Sequence, residues 1–129
     1  MVENPLLRQW AEDLIRAGVG EARDAVDEYC KRPKSAKRLH AARKQIARLQ
    51  ATLQDVTSLV PGAEDLLERV HALHRCAGEI RDADVLLDRL ESYAEAGSQT
   101  LRDELRARRR KGRKNLEAAL ATPDWDLHP

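Results

Sequence analysis

Residues 66–87 read LLERVHALHRCAGEIRDADVLL, and the spacing of their side chains decides the fold class. Leu66, Val70, Leu73, Ala77, Ile80, Asp84 and Leu87 follow at intervals of 4, 3, 4, 3, 4 and 3, the continuous seam of a long packed helix. One member is a carboxylate. Burying Asp84 unpaired would be expensive, so it is expected to meet a cation or several donors. Beside the seam runs a second stripe, Leu67, His71, His74, Gly78, Arg81 and Val85, with two imidazoles and a guanidinium on one line. Asp82 and Asp84 are expected to act as structural support, holding Arg81 and basic residues of neighbouring helices in fixed rotamers. A purely structural ion-pair network is the plain alternative, and it is compatible with function because a preorganised cation binds an anion better than a floppy one.

Working outward, the punctuation marks three more helices. Asn4-Pro5 is a cap followed by proline at the first helical position, opening a helix over 5–30, with Gly18 and Gly20 interrupting it and favouring a bend. Pro33 separates it from a second helix over 34–59, and Pro61-Gly62 turns into a third over 63–96. Glu64 and Asp65 in the first turn of that helix suit its dipole. Gly97-Ser98 ends it, and a fourth spans 99–121. The expected fold is all-α, an antiparallel four-helix bundle joined by short connections. The chain of 129 residues is read as a single domain, 1–129, with its core in 5–121 and a tail, TPDWDLHP, over 122–129.

Charge is near balance overall, with 23 Lys and Arg against 22 Asp and Glu, but it is segregated. From Lys31 to Gln54 there is no acid, and the window holds Lys31, Arg32, Lys34, Lys37, Arg38, Arg43, Lys44 and Arg48. Between Leu105 and Leu116 a second acid-free window holds Arg106, Arg108, Arg109, Arg110, Lys111, Arg113 and Lys114. Such a field on a nearly neutral body is the signature of an anion site. On a helical wheel Leu39, Ile46, Leu49, Leu53 and Val56 form the core face of the second helix. His40 is centred on the opposite, basic face with Lys37, Arg43, Lys44 and Arg48. An exposed surface imidazole is one reading of His40; a donor to a bound anion is the other. On the fourth helix Arg102, Arg106, Arg109 and Arg113 form a stripe that local acids do not neutralise, beside an apolar stripe of Leu101, Leu105 and Leu116.

Several classes are disfavoured. Glu68 and His71 make a single E-x-x-H pair, where a di-iron bundle needs two pairs and two further glutamates, so no metal and no other cofactor is expected. No P-loop, nucleophile elbow or Cys-His arrangement is present, so no enzyme and no catalytic residue is expected. Nucleic acid is the generic competitor for fifteen clustered cations. Single strands are bound on aromatic platforms, however, and Trp10, Tyr29, Tyr93 and Trp125 all lie outside the basic windows. Nothing after Met1 reads as a signal peptide, and no apolar run approaches the length of a membrane span, so a cytoplasmic location without a membrane partner is expected. Cys30 and Cys76 lack metal-type spacing; free thiols are expected there, with a disulfide as the alternative.

The run LHAARKQIARL (Leu39 to Leu49), followed by GEIRDADVLL (Gly78 to Leu87), resembles the CHAD family, the conserved histidine α-helical domain. His40, Arg43 and Arg48 fit its first motif; Gly78, Arg81, Asp82 and Asp84 fit its second. The resemblance runs from about Leu6 to Leu120 and implies a non-catalytic module that binds inorganic polyphosphate and associates with polyphosphate granules. It implies that His40, Arg43, Arg48 and Arg81 help line a basic channel. With the basic faces read above, the candidate polyphosphate-binding set is Lys37, His40, Arg43, Lys44, Arg48, His74, Arg81, Arg102, Arg106, Arg109 and Arg113. Two positions depart from the family pattern. Ala47 stands where arginine is usual, and Lys44 where a small apolar residue is usual. Lysine lacks the bidentate fork of arginine. Family members carry two similar helical halves around a shared cavity, and this chain resembles the first. Two copies paired about a two-fold axis are therefore expected to rebuild the cavity as a homodimer. A basic helical adaptor for nucleic acid or an acidic protein is the alternative function.

Overall fold

The computed structural model describes residues 4–92 and 98–121, which form helices α1 (Pro5–Lys31), α2 (Ala36–Val56), α3 (Ala63–Leu90) and α4 (Ser98–Ala121). No strand occurs among the described residues, and the fold is the expected all-α bundle. Asn4 opens α1 by accepting hydrogen bonds from the Leu6 and Leu7 amides at 3.0 and 3.2 Å. The hydroxyl of Ser35 accepts from the Arg38 amide at 3.2 Å, so α2 begins at Ala36, two residues after the expected start. It ends at Val56 rather than residue 59. There the Thr57 hydroxyl donates to the Leu53 carbonyl and the chain turns through residues 57–62. Gly62 enters α3 with φ of 86°, a left-handed conformation that glycine adopts without a steric penalty.

Gly18 and Gly20 do not interrupt α1, which is continuous over 27 residues. α3 closes at Leu90, where the Glu91 amide donates to the Leu87 carbonyl, earlier than the expected end at residue 96; residues 93–97 and the tail 122–129 lie outside the described residues. Arg102 of α4 donates to the Leu90 carbonyl at 2.6 Å, placing a cation at the negative end of the α3 dipole.

Each helix packs on its neighbour in sequence, and α1 meets α4 more sparingly. The main core takes side chains from all four helices, including Ile15, Tyr29, Ile46, Leu53, Leu73, Ile80 and Leu116. A smaller cluster of Ala83, Leu87 and Leu105 joins α3 to α4 alone. Asp84 falls on the seam between Ile80 and Leu87, so a polar layer separates the two clusters. Leu101, expected to share the apolar stripe of α4, is 44% exposed; Gly112 takes that role instead. A Cβ on Gly112 would lie 2.8 Å from Ile80 Cγ1, so the absence of a side chain is what lets α4 close on α3. No helix among the described residues is long and apolar enough to cross a membrane.

Candidate anion-binding surface

The register of α2 against α3, held by the shared apolar core, is marked by one polar contact: His74 Nδ1 lies 3.0 Å from Gln50 Oε1. With the ring donating through Nδ1, its Nε2 becomes a second donor only when the imidazole is protonated. Seven residues, two helical turns, carry α2 back from Gln50 to Arg43, and the same step carries α3 forward from His74 to Arg81. The helices are antiparallel, so both steps climb about 10 Å in the same direction. Arg43 and Arg81 therefore occupy one level on the facing flanks of α2 and α3. Between the two levels lie Ala47 on α2 and Gly78 on α3. A Cβ built on Gly78 would meet nothing within 4 Å, so the space beside it is open.

Apart from Arg38, which pairs with Glu28, the α2 cations are uncompensated among the described residues. Among the described residues, no side-chain hydrogen bond or ion pair holds Lys37, His40, Arg43, Lys44 or Arg48. Arg43 is the sharpest case: its Nε is buried and has no hydrogen-bond partner. A buried guanidinium nitrogen left unmatched costs free energy that an anion at this place would recover. His40 lies about 60° further round the wheel than Arg43, with Lys44 and Lys37 beyond it. Arg48 is about 140° from Arg43, the member of the set that points furthest from α3. All four are exposed, while Arg43 is half-buried.

α4 presents a different picture. Arg109 donates to the Asp84 carboxylate at 3.2 Å, with both side chains 22% exposed, so Asp84 meets the cation it was expected to need. Arg106 lies 3.7 Å from Asp103, and Arg102 is held by the Leu90 carbonyl. Arg113 is half-buried beside Tyr29 and Cys30, where its charge opposes the upward push on both acids. Burial first, and then the Asp84 carboxylate, pushes the Tyr29 phenol up to about 12. Burial and a hydrogen bond with Glu117 push the Cys30 thiol up to about 12. Burial raises Cys76 as well, and both cysteines are free thiols. Asp82, expected beside Asp84 as support, is exposed on the outer side of α3, where it lines a groove with Arg108 and Lys111 of α4. A step of two residues turns a helical side chain by about 200°, which carries Asp82 away from the seam.

The structure thus brings Arg43, Arg81 and His74 together along α2 and α3, sets Lys37, His40, Lys44 and Arg48 on the outward arc of α2, and engages Arg102, Arg106 and Arg109 with groups of their own chain. Residue reasoning passed over Ala47 and Gly78 as a pair of small residues. Only the α2–α3 register shows that they stand at one level.

The family model of the CHAD domain matches residues 6–127. No curated protein and no solved structure matches the chain.

Proposed function

Since the chain belongs to the CHAD family, we propose that it binds inorganic polyphosphate through the α2–α3 face and does so without catalysing a reaction on it. CHAD domains bind polyphosphate in general. The observation that carries the reading for this chain is the uncompensated cation row of α2, with the orphaned Nε of Arg43 level with Arg81 across open space at Gly78. A chain of phosphates offers a charge at every unit, so it can meet Arg43 and Arg81 at one level and run on past Ala47 and Gly78 toward His74 at the next. Between those levels the facing flanks present no carboxylate and no nucleophile, which supports binding rather than chemistry.

Lys37, His40, Lys44 and Arg48 would extend the field along the outward arc and raise the local concentration of the ligand. A second copy, related by a two-fold axis, would supply the opposite wall of a channel whose first wall is this face. A cytoplasmic setting at polyphosphate granules follows from the same reading. The aromatic residues support polyphosphate over nucleic acid: Tyr29 is fully buried, Trp10 belongs to α1, and neither α2 nor α3 carries an aromatic ring of Trp, Tyr or Phe on which a base could stack.

The test is a titration with polyphosphates of several lengths at several salt concentrations. Affinity is expected to rise with chain length and to fall steeply with salt. Displacement of long-chain polyphosphate by single-stranded RNA at equal phosphate concentration would overturn the reading in favour of a nucleic-acid adaptor.

A further inference from the structure

We propose that the outer face of α3 and α4 is a self-association surface that seats a second copy of this chain about a two-fold axis parallel to the helices. A groove of about 470 Å³ runs along this face. Its α3 wall carries Glu79 and Asp82, its α4 wall Arg108 and Lys111, and Ala83 and Leu105 line it between them. Leu86 at its edge is 44% exposed. None of the four charged side chains has an ion pair within the described residues, so the chain leaves one acidic and one basic column unmatched on a single face.

The register makes the two columns self-complementary. The close approach of Gly112 to Ile80 fixes how α4 lies against α3. Counting from that contact at about 1.5 Å per residue, Arg108 and Lys111 occupy the same stretch of the axis as Glu79 and Asp82. A two-fold axis parallel to the helices preserves height and exchanges left for right. It therefore lays the acidic column of each copy on the basic column of the other, and each pairing occurs twice. The perpendicular two-fold would set like charges opposite each other, which disfavours it. A second copy of the chain presents matching columns in matching register.

These residues lie away from the α2-facing flank of α3 that carries His74 and Arg81, so this pairing is distinct from the one that would close a polyphosphate channel, and it needs no ligand. The experiment is sedimentation velocity on the full chain without ligand, over a wide range of concentration and at low salt. A concentration-dependent dimer is expected. Glu79→Arg with Asp82→Arg is expected to weaken it by about 100-fold, and Arg108→Glu with Lys111→Glu by a similar factor. Mixing the two doubly substituted proteins is expected to restore a heterodimer, since one then presents two basic columns and the other two acidic ones. Far-UV circular dichroism confirms that each variant is folded. A monomer at every concentration overturns the proposal. So does a dimer indifferent to both pairs of substitutions, which would assign association to another face such as Leu6, Trp10 and Leu14 of α1. Dimerisation only when polyphosphate is added also overturns it, while leaving the polyphosphate reading intact.

Discussion

The cations of α2 and those of α4 look alike in the sequence, as two acid-free windows dense in Lys and Arg. In the folded chain they differ. Three α4 arginines are held by their own chain, Arg109 by Asp84, Arg106 by Asp103 and Arg102 by the Leu90 carbonyl, while Arg108, Arg110 and Lys111 on the outer side of α4 have no ion pair among the described residues. Among the described residues, the α2 cations from Lys37 to Arg48 have one such partnership, that of Arg38 with Glu28. A cation that neutralises its own fold contributes to stability. One left facing solvent or an empty flank carries self-repulsion that a ligand can relieve. The density of charge in a window therefore says little until the positions of the acids on neighbouring helices are known.

The largest expected effect separates the two regions directly. Replacing Arg43 and Arg81 together with glutamate should lower polyphosphate affinity by about 100-fold or more, with helicity unchanged, because both side chains lie where no partner in the fold depends on them. Loss of folding instead would show that Arg43 is a structural residue. Arg109→Ala should behave in the opposite sense. It leaves the Asp84 carboxylate half-buried without its cation, at a cost of about 2 kcal/mol in urea denaturation, with a smaller loss of affinity than the α2–α3 pair shows.

The glycines of the two faces should diverge as well. Gly112→Ala forces a Cβ to within 2.8 Å of Ile80 Cγ1 and is expected to destabilise the bundle by about 1–3 kcal/mol. Gly78→Ala meets no neighbour within 4 Å. It should stabilise α3 by about 0.5–1 kcal/mol while weakening polyphosphate binding, because the methyl group enters the space beside Arg43 and Arg81. A rise in both stability and affinity would show that the ligand passes elsewhere.

The smallest effects concern the buried acids where α1 meets α4. Tyr29 and Cys30 both titrate at about 12 in the folded chain, above their ordinary values of 10.0 and 9.0. Above about pH 9 the unfolded chain loses these protons first, so it binds fewer protons than the native state and stability falls with rising pH. The decline should run from about pH 9 to about 12, and be read as a falling urea midpoint. Tyr29→Phe removes a buried hydroxyl that has no partner and is expected to leave stability unchanged or slightly higher while reducing that alkaline slope.

Much of the fold was legible because helical periodicity and punctuation are local. The seam from Leu66 to Leu87 and the cap at Asn4 need only neighbouring residues to be recognised, whereas the cap at Ser35 was read as part of the second helix. Element ends were less so: α2 stops at Val56 where the Thr57 side chain takes a backbone acceptor, a competition that composition does not reveal. The partner of Asp84 was expected as a type, a cation, but its identity as Arg109 depends on how α4 lies against α3. Asp82 was read together with Asp84 because they are two residues apart; in a helix that spacing sends them to opposite sides.

The amino-acid order alone determined that four amphipathic helices would form and that two of them would carry unbalanced positive charge, since both follow from residue type and a period of about 3.6 residues. Which charges stay available was settled by packing. Whether a guanidinium finds a carboxylate depends on the register and rotation of a helix distant in sequence, and those are held by the shared apolar core and marked by contacts such as His74 with Gln50 and Gly112 with Ile80.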